Sequence, residues 1–268
     1  MKRKINHLFF IFGVMALFYS CGENKTMQTE TRKFKQKYYL TEDKSKGILT
    51  INMYVKLPVR YHNSDILQIV RDDVVTNVFG HEYVQYSNKE LLPRFASDMN
   101  EEYRNSNLPF FNRELSEEIG FSFNNDFLLK TFVLLSDEHI FVYGVDLYVY
   151  MGGAHGLQTR TYFNYNLKNA NLILEEDLFI ENFEPILTEI IIRQMRAGLE
   201  ISEEELEEIY WVENIVPNGN FYIMHESINY VFNPYEIAPY VFGQTEIIIP
   251  FEEIKEILKP NSVITARK

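Results

Sequence analysis

The chain reads as α+β, with a mainly antiparallel sheet, flanking helices and two closely associated subdomains. Three observations carry this reading. The stretch Phe141–Leu167 holds two alternating, aromatic-rich runs around the turn Gly152-Gly153-Ala154-His155-Gly156, the signature of a β-hairpin. Apolar residues at Ile66, Leu67, Ile69, Val70, Val74, Val78 and Phe79 fall at helical spacing. From Gly120 onward the pattern changes to period 2, and runs of strands separated by helices favour α+β over an alternating α/β plan.

Each element follows in order. Ile48–Val59 alternates as a strand, with Ile51, Met53, Val55 and Leu57 on one face and Pro58 near its end. Asn63 or Ser64 can cap the first helix, and Gly80 can end it. A second helix is predicted over Lys89–Arg104, with Asn105–Leu108 and Pro109 as a break. Phe121–Ser136 is a long strand leading through Asp137-Glu138 into the hairpin. On the hairpin's first strand, Phe141, Tyr143, Val145, Leu147 and Val149 share one face. Val142, Asp146, Tyr148 and Tyr150 share the other. Both faces are largely apolar, so a central strand covered on both sides is expected.

After a turn at Lys168–Asn171 come a short strand at Leu172–Leu174 and an acidic helix start at Glu175-Glu176-Asp177, the charge sign a helix N-terminus prefers. A further helix runs over about Phe183–Leu199, and Glu203–Glu208 reads as a solvated helical face. Short strands at Phe221–Met224, Ile228–Phe232 and Glu246–Ile249 surround the turn Asn233-Pro234-Tyr235-Glu236. A closing helix is predicted over Phe251–Leu258. The implied division is a polar tether at 21–45, a smaller α/β subdomain at 46–120, a larger α+β domain at 121–260 and a tail at 261–268.

The N-terminus gives the address. Lys2, Arg3 and Lys4 precede an apolar run, Leu8–Tyr19, which at about twelve residues is too short to span a bilayer and fits a secretory signal. Cys21 is the single cysteine, so no internal disulfide is available to an exported chain. Leu17-Phe18-Tyr19-Ser20-Cys21 resembles the lipobox of bacterial lipoproteins, although Phe18 and Tyr19 are bulkier than the usual residues there. The resemblance implies lipidation of Cys21 and a membrane anchor in the bacterial envelope, on the outer membrane. The alternative is an ordinary secretory signal with a free thiol.

The formal net charge is −12, and loss of residues 1–20 would remove three basic residues and no acidic ones. Such a balance argues against a nucleic-acid partner, whose phosphates need clustered Lys and Arg. It would also draw in basic proteins. Aromatic residues make up 15% of the chain, nearly all Tyr and Phe, which suit half-buried strands and binding surfaces alike.

No motif carries chemistry outright. His155, in its glycine-rich turn, could serve as a base, as a ligand or as a donor that ties the turn together. No phosphate-binding loop, dinucleotide fingerprint, paired-histidine zinc spacing or nucleophile elbow is present, so no cofactor and no metal are expected. Gly152 and Gly153 read as hairpin glycines. Tyrosines at 148, 150 and 162, and at 230, 235 and 240, could stack on sugars or form a protein-binding patch, with core packing the simpler role.

Two passages carry a resemblance to a family. Tyr150–Gly156 with Phe163–Leu167 and Glu176–Phe179, and then Phe232–Tyr240 with Gly243, Glu246 and Ile249–Phe251, are similar to a bacterial envelope domain of unknown function. That domain forms the extracellular part of RsiV-type anti-sigma factors, which binds lysozyme, and the accessory region of PdaC-type peptidoglycan deacetylases. Only Met1–His7 precede the apolar stretch and no deacetylase segment follows, so neither an anti-sigma factor nor a deacetylase is expected. The resemblance implies a non-enzymatic binding module for a protein, such as a lysozyme-type muramidase, or for a cell-wall glycan; Gly152, Gly153, His155, Tyr235, Glu236 and Tyr240 are the candidates for a ligand-binding or a turn-structural role. The alternatives are an envelope-glycan enzyme using His155 with Asp146 or Glu236, and a structural lipoprotein.

Overall fold

The structure, a computed structural model, describes residues 25–42, 44, 47–111 and 123–267. Cys21, the signal segment and the predicted boundary at 120/121 lie outside the described residues. Among the described residues, eight strands form two sheets, one of five strands in the order β1-β2-β3-β4-β5 and one of three in the order β6-β7-β8.

The first sheet begins with a strand that the sequence does not announce. β1 (Gln28–Tyr39) pairs antiparallel along the whole of β2 (Ile48–Arg60). The expected polar tether at 21–45 is therefore corrected over 28–39. Phe34 and Tyr38 pack against the core while Lys33, Lys35 and Lys37 stay exposed. That lysine-rich alternation is how an edge strand stays soluble, and it hides the period-2 signal from a hydrophobicity scan.

Between β2 and β3 (Asn125–Ser136) the chain makes α1 (Ser64–Phe79) and α2 (Leu91–Phe111). This crossover lets β2 and β3 pair parallel, the one departure from the antiparallel plan. The Asn63 side chain accepts the backbone N–H groups of Asp65 and Ile66 at 3.0 and 3.1 Å. It thereby satisfies two of the donors that a helix start leaves unpaired. α1 buries Val70, Val74 and Val75 completely, each stabilising by roughly 1.5–3 kcal/mol. α2 runs through the expected break to Phe111, with Pro109 inside it. A proline this close to a helix end removes few backbone bonds, so the helix absorbs it.

β4 (Ile140–Tyr150) and β5 (Leu157–Asn166) complete the sheet. Phe141 and Tyr143 on β4 join the core under α1 and α2, whereas Ile140 and Val142 join a second core. β4 is thus covered on both faces only in its first half. In its second half, Asp146, Tyr148 and Tyr150 are only partly buried, which corrects the expectation for the whole strand. A register shift between Val133 and Leu135 adds a residue to β3 and sends Leu135 into the second core. One sheet therefore serves two cores, and the division between them is not a cut at residue 120.

Buried tyrosines tie this layer together with their hydroxyls. Tyr143 donates to the Lys56 carbonyl at 2.7 Å, Tyr103 to the Phe123 carbonyl at 2.8 Å and Tyr165 to the Asp73 carboxylate at 2.8 Å. The last bond fastens β5 to α1.

The second core lies between the three-stranded sheet, of β6 (Phe221–Ile223), β7 (Ser227–Phe232) and β8 (Thr245–Pro250), and the helices α3 (Glu175–Leu178), α4 (Glu184–Leu199) and α5 (Glu203–Ile209). α4 packs on β8 through Leu187, Ile190, Ile191 and Met195. The expected closing helix shrinks to one turn, α6 (Phe251–Ile254), and Leu172 makes a single bridge to Tyr165 rather than a strand.

Side-chain amides join the second sheet to the free edge of β5. The Arg160 N–H donates to Asn233 Oδ1 at 2.7 Å, and the Tyr162 N–H donates to Asn220 Oδ1 at 3.1 Å. The Arg160 carbonyl accepts from Asn220 Nδ2 at 2.9 Å and from Asn233 Nδ2 at 3.0 Å. Asn164, only 3% exposed, returns the contact: it donates to the Phe221 carbonyl at 2.8 Å and accepts from the Ile223 N–H at 3.0 Å. An Asn amide carries the donor and acceptor of a peptide group, so these side chains act as a substitute strand.

Two stability predictions follow from these contacts. Asn164→Ala leaves a buried N–H and a buried carbonyl unpaired, and should cost about 2–4 kcal/mol in urea unfolding. Asn166→Ala, at a partly buried turn position, should cost less. Glu175 accepts the Gly219 N–H at 3.1 Å, and burial raises its carboxyl above the usual range. A carboxyl raised on folding contributes stability that is present at low pH and lost as pH rises through its folded value. Glu175→Gln should therefore raise the melting temperature at pH 7, with the gain vanishing towards pH 4.

Candidate functional site

The hairpin turn between β4 and β5 comprises Met151–Gly156. Gly152 has φ +88°, a backbone state open to glycine at little cost. Gly153 meets nothing within 4 Å of a notional Cβ, so it has no packing role. Gly156 has one: a Cβ there would sit 2.4 Å from the Tyr148 ring, which covers the backbone at that point.

His155 is exposed at the tip and held on three sides. Its Nδ1 lies 3.0 Å from the Gly156 carbonyl, which can only accept, so Nδ1 carries the proton. Nε2 then accepts from the Tyr235 hydroxyl at 3.2 Å. The Tyr240 ring stacks on the imidazole with centroids 4.1 Å apart and planes 20° apart. The Tyr240 hydroxyl donates to the same Gly156 carbonyl at 2.9 Å. Tyr235 and Tyr240 also face each other at 5.6 Å, completing a three-ring platform.

The local sequence explains how the second half of the platform is set. The Glu236 N–H donates to the Asn233 carbonyl at 3.0 Å, closing a turn with Pro234 and Tyr235 at its centre. Tyr235 has φ +74°, the left-handed state that this turn geometry requires at its third residue and that glycine or asparagine normally fills. A tyrosine there is strained, and the strain aims its ring at His155. The Glu236 carboxylate is occupied within the turn: it accepts the Asn233 N–H at 2.9 Å and the Asn218 amide at 3.2 Å. Pro239 precedes the 3-10 turn Tyr240–Phe242.

Of the sequence-predicted residues, the structure brings together Gly152, Gly153, His155, Tyr235 and Tyr240, with Glu236 serving the turn behind them. Tyr230 is fully buried. Asp146 is engaged elsewhere, accepting from Gln158 Nε2 at 2.7 Å with Arg160 3.7 Å away. Among the described residues, no carboxylate hydrogen-bonds or ion-pairs with His155, and no cluster of three or more His, Cys, Asp or Glu could hold a metal ion. No helix among them is long and apolar enough to cross a membrane.

Sequence reasoning missed the apolar surface beside the platform. Val241 is 83% exposed and Tyr235 51%, and Phe242 and Leu157 are exposed next to Tyr240 and Gly156. Where such residues form one contiguous patch, it is a surface on which a partner can dock. The one available signal was the pair Val241-Phe242 directly after a Pro-Tyr turn.

Fold and site together define a class: a two-core α+β protein whose central hairpin tip is capped by aromatic rings from the connection between β7 and β8. More particularly, residues 176–252 match the family described as "Protein of unknown function (DUF3298)", a span that includes Tyr235, Glu236 and Tyr240. The chain is similar to a crystal structure of a DUF3298 family member from Bacteroides fragilis, with a TM-score of 0.81 and 26% identity, over 89% of this chain and 96% of that one. A DUF3298 family protein from Pseudomonas aeruginosa shares the fold, with a TM-score of 0.58 and 15% identity, over 87% of this chain and 95% of that one. The peptidoglycan-N-acetylmuramic acid deacetylase PdaC of Bacillus subtilis is 22% identical over 227 residues. That alignment covers 81% of this chain but only 46% of PdaC, so the chain spans about half the length of that relative.

Replacing Tyr235 tests the platform. Tyr235→Gly relieves the left-handed strain while removing the ring and the bond to Nε2, so stability should stay within about 1 kcal/mol of the parent. The His155 resonances in an NMR spectrum should nevertheless shift. A loss of several kcal/mol would show that Tyr235 holds the fold rather than the platform.

Proposed function

We propose that the chain is a non-catalytic binding module of the bacterial cell envelope, anchored by lipid on Cys21, and that it captures a protein partner on the His155–Tyr235–Tyr240 platform. The partner class favoured is a lysozyme-type muramidase, in line with the resemblance to the RsiV-type ectodomain. The observation that carries the reading is the state of His155. It is exposed, its Nδ1 is committed to a backbone carbonyl, its Nε2 accepts from a tyrosine, and it hydrogen-bonds to no acid. The enzyme reading pairs His155 with Asp146 or Glu236, and both are bonded elsewhere, whereas ordered exposed aromatics beside apolar neighbours suit a docking hot spot.

The similarity to PdaC supports an envelope setting, because that relative's name places its substrate in the cell wall. The enzyme alternative loses its two named partners, since Asp146 and Glu236 are bonded elsewhere.

The test is a titration of the chain from Gly22 onward, which contains every element described above, with lysozyme at rising salt. An acidic chain attracts a basic protein through charge alone, and that attraction should fade as the Debye length falls to about 3 Å near 1 M salt. Binding on the platform should persist there and weaken about tenfold or more in Tyr235→Gly, the scale of a hot-spot truncation. Complete loss of binding at 1 M salt would overturn the muramidase role.

A further inference from the structure

The solvent face of the five-stranded sheet holds a second surface, distinct from the platform. Two rows of side chains cross all five strands in register. One runs Lys33, Tyr54, Lys130, Asp146, Arg160, and the next runs Lys35, Asn52, Leu128, Tyr148, Gln158. The members of these rows on the inner strands line a groove of about 470 Å³ whose walls include Tyr54, Lys130, Asp146, Tyr148 and Gln158. Tyr54 and Leu128 are 37% and 38% exposed at its floor, and Lys33 Nζ lies 5.1 Å from the Tyr54 ring centroid.

The charge on this face runs against the rest of the molecule. The whole chain is −12, with 38 acidic residues against 26 basic. Yet the face carries Lys33, Lys35, Lys37, Lys56, Lys130 and Arg160 against only Asp126 and Asp146. The groove's own lining is balanced, Lys130 against Asp146; the excess lysines flank it on β1 and β2, and a basic field over one face concentrates anions there.

We propose that this groove binds an acidic oligosaccharide. Three features select that chemistry over a bare anion. Tyr54 and Tyr148 offer ring faces against which the apolar side of a pyranose can stack. Asn52, Gln158 and Asp146 place amide and carboxylate groups within the same groove, able to pair with hydroxyls and N-acetyl amides. The lysine rows then supply the countercharge for carboxylates along the glycan. Gln158 Nε2 donates to Asp146 Oδ1 at 2.7 Å and Arg160 faces Oδ2 at 3.7 Å, so both oxygens of the carboxylate are oriented within the face. The site does not depend on the muramidase reading. The two surfaces meet where the Tyr148 ring lies over Gly156.

The experiment is calorimetric titration of the full chain with three probes. These are a tetrasaccharide alternating N-acetylglucosamine and N-acetylmuramic acid, whose lactyl groups carry the charge; chitotetraose, which lacks the carboxylates; and hexaglutamate, which lacks the sugars. The carboxylated tetrasaccharide should bind at least about fivefold tighter than either control, a margin of the size expected for one or two charge contacts added to stacking. The double variant Lys33→Gln/Lys130→Gln should weaken it about tenfold and flatten its salt dependence. Both lysines are exposed, so the fold should be untouched. Tyr54→Ala should weaken both saccharides alike, and Tyr235→Gly should change neither. Equal affinity for hexaglutamate would reduce the groove to a charge patch. Equal affinity for chitotetraose, no saccharide binding at all, or loss of it in Tyr235→Gly would each overturn the assignment.

Discussion

The free edge of β5 is the place where this molecule becomes one body. A sheet edge presents unpaired N–H and carbonyl groups that must find water, another chain or a local substitute. Here Asn220 and Asn233 fill that role towards Arg160 and Tyr162, and Asn164 answers from β5 itself. The amides are short and planar, so they bring the second sheet against the first without the long run of paired backbone that a ninth strand would need. Removing one donor–acceptor pair from a buried position leaves two peptide groups unsatisfied. That asymmetry makes the seam sensitive to single substitutions.

The seam also positions the functional surface. Asn233 bonds Arg160 on one side and opens the turn of Pro234, Tyr235 and Glu236 on the other. The same residue that docks the second sheet therefore fixes the turn that carries Tyr235 to His155, 80 residues away in sequence. Strain at Tyr235 is tolerated because Asn218, Asn233 and Glu236 bind the turn from behind. The first sheet, held on one face by α1 and α2, leaves its other face open over the second half of β4. That is why a groove exists beside the platform at all.

Much of the fold was legible residue by residue. The apolar spacing of α1, its Asn63 cap and Gly80 end, and the hairpin with its glycine turn all stand where local pattern places them. β1 was not legible, because Lys33, Lys35 and Lys37 dilute an alternation that only Phe34 and Tyr38 carry. Its strand state comes from pairing with β2, which supplies backbone bonds regardless of side-chain polarity. The extent of α2 past Pro109 and the brevity of α6 are boundary effects, decided by what the helix ends pack against. The Asn residues at 164, 220 and 233 read in sequence as turn formers or neutral strand positions. Nothing local marks an amide as a peptide substitute.

Local chemistry was enough to set the class of fold, the acidic balance and the residues of the hairpin tip. These depend on periodicity, on charge counting and on the backbone freedom of glycine, all of which act over a few neighbouring residues. The three-dimensional arrangement alone decided which tyrosines left the core. Tyr230 is buried and Tyr235 and Tyr240 surround His155, although all three share one short segment. It also gathered basic side chains from four strands onto one face of an acidic chain. Both outcomes rest on register between strands distant in sequence, a long-range property that no window of residues contains.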